Sequence, residues 1–180
     1  MVLLAVLSAL AGPPVAPDDP AALQAEAHRI ATEMKSYAKD GKSAGVERAY
    51  RGLLALGVPV DPELHVLAAM VARDRGDSLT ALARLSRVPK GSRAGAEVEA
   101  FEANLLENYC YLRVSLKPGA KVETPSFFAR DEAAAAQRLA AVVEATGVFV
   151  GLVPAGTYVF DGAVFELHGS EARSVMPPTP

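Results

Sequence analysis

The sequence predicts an α+β protein built in two parts, and three observations carry that prediction. From Pro20 to Asn108, apolar residues recur at spacings of three and four, the period of one helix face. From Tyr109 onward they alternate, or gather into short β-branched and aromatic runs. The punctuation changes with the period: Asp-Pro and Gly-Asp pairs break the first part, Pro-Gly and Asp-Gly pairs the second. The expected organisation is a leader over 1–19, antiparallel helical hairpins over 20–108, a small β-containing module over 109–169 and a disordered tail over 170–180.

Asp18-Asp19-Pro20 opens the first helix, because Asp caps well and Pro suits the first helical position. Leu23, Ala27, Ile30, Met34 and Tyr37 form its apolar face, and Asp40-Gly41 ends it. Ser43 is the expected cap of a second helix, with Val46, Tyr50, Leu53 and Leu54 inward and Gly57 as its stop. Asp61-Pro62 repeats the first opening and starts a third helix carrying Leu64, Leu67, Ala68 and Val71. Gly76-Asp77 turns into a fourth with Leu79, Leu82, Leu85 and Val88, and a fifth is expected from Ser92 to Asn108.

Leu112, Val114 and Leu116 alternate with Arg113, Ser115 and Lys117, which is a half-buried strand. Pro118-Gly119 turns the chain. A helical insert over Arg130–Thr146 follows, with Asp131 as its expected cap and Gly147 as its stop. Val148–Val153, Thr157–Phe160 and Ala163–His168 read as strands. Asp161-Gly162 is a two-residue hairpin signal, and Pro154-Ala155-Gly156 reads as hairpin chemistry too.

Composition narrows the function classes. Hydrophobic residues make up 51% and charged residues 22%, which suits a folded globular chain. The net charge of −3 leaves no basic surplus for phosphate backbones, so nucleic acid is not an expected partner. The single cysteine, Cys110, excludes an internal disulfide and a multi-cysteine zinc site. Gly41-Lys42-Ser43 ends like a phosphate-binding loop, but no strand precedes it and its first glycine would fall at Ser36. His28, His65 and His168 lie in three different elements, and Asp131-Glu132 suits a helix start without catalysis. No catalytic residue, metal ligand or cofactor is expected.

The leader has an apolar run from Val2 to Ala11, too short to span a bilayer. Ala9-Leu10-Ala11 before Gly12 fits the small-x-small cleavage pattern of a secretory signal, although no Lys or Arg precedes the run. The expected location is periplasmic or secreted, or cytoplasmic if the signal is spurious. No stable membrane span is expected after processing.

Two resemblances refine the reading. The hairpin "DPELHVLAAMVARDRGDSLTALARLSRVP" resembles a tetratricopeptide repeat, with Ala69 and Ala81 at the small positions and Gly76-Asp77 at the turn. Ala49-Tyr50 superposes on Ala81-Leu82, and the likeness covers about residues 21–88. His65 and Ala72 stand where that family has large aromatics. The second part, with Pro118-Gly119-Ala120 and Pro154-Ala155-Gly156-Thr157-Tyr158, is similar to envelope β-sandwich modules of the PEGA and carboxypeptidase-regulatory type. The helical insert is foreign to them. The repeat resemblance implies a concave face lined by Glu63, Val66, Met70, Arg73 and Asp74, where a peptide or protein partner would bind. Together these imply a non-enzymatic binding or scaffold protein of the bacterial cell envelope. The alternatives are a small-ligand protein or enzyme with an unrecognised site around His65 or Glu63, and a cytosolic adaptor.

Overall fold

The computed structural model describes residues 19–92 and 95–176. The secretory-signal pattern, residues 93–94 and the last four residues lie outside that set; Ser92, the start expected for the fifth helix, is described and is not helical. The described chain is mixed α+β, with six helices and two three-stranded sheets. None of these helices is long and apolar enough to cross a membrane.

Helices α1 (Pro20–Lys39), α2 (Ser43–Ala55), α3 (Pro62–Asp74), α4 (Ser78–Leu85) and α5 (Gly95–Asn108) form the first part. The expected caps act at α1 and α3, and Asp77, read in the sequence only as a turn residue, caps α4: Asp19, Asp61 and Asp77 each accept a backbone N–H of the first turn. Ser43 does not cap α2. It is already the first helical residue, because the α1 stop holds Gly41 and Lys42 against the carbonyls of Ala38 and Tyr37 and leaves only Asp40, Gly41 and Lys42 between the helices. Met34, Val46, Tyr50, Leu53, Leu64 and Ala68 make one core between α1, α2 and α3. Ala69, Ala72, Ala81, Leu85, Val88 and Val98 make the next, where alanine lets α3 and α4 approach closely.

The second part opens on β1 (Tyr109–Ser115) and β2 (Val122–Glu123). Helix α6 (Arg130–Thr146) and strands β3 (Val148–Pro154), β4 (Gly156–Phe160), β5 (Ala163–Leu167) and β6 (Ala172–Val175) complete it. The sheets run β3-β1-β6 and β2-β4-β5. β1 is antiparallel to β3 and parallel to β6; the other pairings are antiparallel. Asp161-Gly162 is the expected hairpin: Phe160 faces Ala163 across it, and both turn residues have positive φ. The Asp161 carboxylate also accepts the Lys121 N–H at 2.8 Å, which fixes β2 beside β4.

Three expectations are corrected. Pro154-Ala155-Gly156 is not a hairpin turn: β3 and β4 belong to different sheets, so the chain turns a corner there. The Ala155 N–H donates to Asn108 O at 2.9 Å, and the buried Tyr158 hydroxyl donates to Pro154 O at 2.9 Å, closing the corner. Residues 172–175 are not a loose tail but strand β6, paired with Tyr111–Val114, with Val175 buried. Asp131 does not cap α6, which starts at Arg130 after Ala129, so Asp131 and Glu132 stand inside its first turn.

Helix α6 is more than an insert. Ala136, Leu139 and Val143 enter one core with Cys110, Leu112, Val114, Phe149, Val153, Tyr158 and Phe160, drawn from both sheets. Ala135 instead joins Leu105, Tyr109 and Leu152, with Leu79, Leu82 and Phe101 packed against them. Residues of α4, α5, α6, β1 and β3 therefore meet at the seam between the two parts, which closes on apolar surface.

Candidate functional site

The five residues expected on a concave face share helix α3, but they do not share an environment. Val66 is half-buried against the Ala69–Val98 core, beside Phe101 of α5. The Arg73 guanidinium lies 4.8 Å over the Phe101 ring, with Nε 3.4 Å from Asp131 of α6 and another nitrogen 3.4 Å from Asp74. Arg73 thus ties α3 to both α5 and α6. Glu63, Met70 and Asp74 are exposed. At i, i+7 and i+11 they form one side of the helix, and Met70 leaves 44% of its surface open.

A concavity of about 470 Å³ opens between the end of α4 and the start of α5. Another, of about 320 Å³, lies between α1 and α3. Ala27 and Ala31 of α1, Leu53 of α2, Pro59 and Val60 of the α2–α3 connection and Leu64 of α3 give it an apolar lining. His28, Thr32, Lys35 and Asp61 add polar groups that are exposed to solvent. An apolar floor with a polar edge is the usual make-up of a surface that takes up another chain.

A half-buried polar core that the sequence did not reveal joins α2, α3 and α4. Glu47 of α2 accepts both arms of the Arg84 guanidinium from α4, at 2.7 and 2.6 Å. Arg84 also donates to the carbonyl of Ala68 at 2.7 Å and lies 4.9 Å over the Tyr50 ring. The Tyr50 hydroxyl is 2.8 Å from Nδ1 of His65. The Arg84 hydrogen bonds hold the Glu47 carboxyl below the usual carboxylate range, against burial, with Arg75 and Arg51 assisting. Burial and, next, the Arg87 charge hold His65 below the usual imidazole value, only partly offset by Asp61. Burial thus disfavours the charged form of His65. Its predicted signature is a loss of stability on acidification. The unfolded chain takes up the imidazole proton near pH 6.5 while the folded chain resists it, so stability is full above about pH 6.5 and falls as pH drops below it. Urea unfolding between pH 5 and 8 checks this: His65→Gln should flatten the decline, and an unchanged slope assigns it elsewhere.

A smaller recess of about 140 Å³ opens beside this core, lined by Glu47, Ala72, Arg75, Asp77, Thr80, Arg84 and Arg138. Asp77 caps α4 through the Thr80 N–H at 3.2 Å and accepts from Arg138 of α6 at 3.1 Å. At the seam, burial first and the nearby Asp131 and Glu132 charges next push the Tyr109 phenol up to about 12, so it stays neutral. Burial likewise raises the Cys110 thiol, and its side chain is fully enclosed. Among the described residues, no group of three His, Cys, Asp or Glu side chains is placed to hold a metal ion. Comparison with protein-family models, with curated proteins and with solved structures found no match.

Proposed function

We propose that this is a non-enzymatic protein-binding or scaffold protein of the bacterial cell envelope, and that a partner segment seats in the groove between α1 and α3. The observation that carries the reading is the groove itself: about 320 Å³ with an apolar lining, edged by His28, Thr32, Lys35 and Asp61. An extended segment or a helix with two or three apolar side chains matches that lining. Exposed Glu63, Met70 and Asp74 form a separate side of α3 that can add polar and adaptable contacts. The envelope assignment rests on the cleavage-like Ala9-Leu10-Ala11 pattern and on the PEGA-like motifs of the second part.

A photo-crosslinking residue at Thr32 tests it in the native host. The expected result is one envelope protein captured from Thr32 and not from Glu166 on β5, with the product lost when Ala31→Arg places a charge in the groove. Equal capture from both positions, or a product that survives Ala31→Arg, rejects the groove. Full-length protein confined to the cytosol rejects the envelope assignment.

A further inference from the structure

We propose that the recess between the α3–α4 turn and α6 is a binding site for a small phosphate-class oxyanion, held by Arg75, Arg138 and Thr80. Three guanidinium groups from separate places in the fold converge there: Arg75 follows the last turn of α3, Arg84 is on α4 and Arg138 is on α6. Only two carboxylates accompany them, Glu47 and Asp77, so the lining carries one positive charge in excess.

The distribution of partners decides which arginines are available. Arg84 is largely committed: Glu47 takes both arms and the Ala68 carbonyl a further N–H, three of its five donors. Asp77 divides its oxygens between the Thr80 N–H and Arg138. Arg138 therefore makes one hydrogen bond among the described residues, out of the five N–H donors a guanidinium carries. Arg75 lines the recess, is exposed, and has no ion-pair partner among the described residues. Its charge reaches the site nonetheless, since it helps to keep Glu47 ionised.

Size selects the ligand. The recess is well under the roughly 300 Å³ at which sites for drug-sized molecules begin. It has room for about four or five waters at roughly 30 Å³ each. That suits one oxyanion group and excludes a whole nucleotide. Shape selects further. A planar carboxylate is matched by a single guanidinium fork, as Glu47 and Arg84 already show. Donors arriving from α3, α4 and α6 instead suit a tetrahedral group that accepts from several directions. Such a group would join Arg75 to Arg138 and so link the helical part to α6. The source is either free inorganic phosphate or the phosphate of a monoester whose remainder projects into solvent.

Calorimetric titration of the full chain, at constant ionic strength set with chloride, tests the proposal with inorganic phosphate and with glycerol 3-phosphate as probes. Saturable binding at one site per chain is expected. Arg75→Gln should weaken it at least fivefold, and Arg113→Gln, on the exposed side of β1, should leave it unchanged. Because Arg75 is exposed and makes no ion pair, the variant is expected to fold normally, and its circular dichroism checks this. Tighter binding of the monoester identifies a phosphorylated molecule as the source, and equal or tighter binding of inorganic phosphate identifies the free ion. No saturable heat from either probe, or equal affinity in Arg75→Gln, overturns the site.

Discussion

Gly76→Ala is expected to cost about 3 kcal/mol of stability, among the largest losses available to a single methyl group in this protein. Two effects add. Gly76 sits at φ +74°, where a residue with a Cβ costs about 1 kcal/mol or somewhat more. The added Cβ would also fall on the backbone carbonyl of Ala134 and within 2.5 Å of the Ala135 nitrogen. Those are main-chain atoms in the second turn of α6, so no side chain can swing aside; relief requires the α3–α4 turn to move off the helix. Overpacking of that kind costs roughly 1–3 kcal/mol. Gly41→Ala is the matched control: φ is +68° and nothing lies within 4 Å of its added Cβ, so only the backbone cost of about 1 kcal/mol applies. Urea unfolding of both variants measures the difference. A Gly76→Ala loss no larger than that of Gly41→Ala would mean that the turn does not rest on α6, and the seam would have to be redrawn.

The same contact shows what the sequence could and could not convey. Helix openings at Asp19-Pro20 and Asp61-Pro62, and the hairpin at Asp161-Gly162, are local chemistry: a cap, a fixed φ, a pair of positive φ values. Each was legible within two to four residues. The same local rule misled at Pro154-Ala155-Gly156. Hairpin and sheet-to-sheet corner use the same residue types, and only the pairing of β4 with β2 and β5, rather than with β3, tells them apart. Strand β6 was missed because Val175 is its single buried residue, which leaves no alternation to read. The candidate site suffered most, because its partners are distant in sequence. The repeat-like spacing put Arg73 on a concave face of α3, but that it stacks on Phe101 and meets Asp131 depends on how α5 and α6 dock. Glu47, Arg75, Arg84 and Arg138 lie far apart in sequence, and nothing in their spacing announces one recess.

Arg84→Met is the second large effect, and its pH dependence identifies the cause. Arg84 and Glu47 keep only 12% and 16% of their side-chain surfaces exposed. Removing one partner of such a pair strands the other charge, and the expected cost is about 3 kcal/mol near neutral pH. The Ala68 carbonyl loses a donor in the same step, and the Tyr50 ring loses the cation above it. Glu47→Leu combined with Arg84→Met should recover most of the loss, since a pair of apolar side chains leaves no charge uncompensated. The sign with pH follows from what holds Glu47 ionised. In the native chain the Arg84 hydrogen bonds depress its carboxyl, so the pair contributes fully above the ordinary carboxylate value and less as pH falls through it. In Arg84→Met burial is the largest influence left on that carboxyl, opposed by the smaller Arg75 and Arg51 charges, and the carboxyl is expected to move up. The folded variant then binds the proton more readily than its unfolded chain, and acid relieves it. The stability gap between native protein and variant should therefore be widest at pH 7 and narrow toward pH 4, measured by urea unfolding across that range. A gap that stays constant with pH would assign the loss to packing of the arginine stem against Tyr50 rather than to the stranded carboxylate.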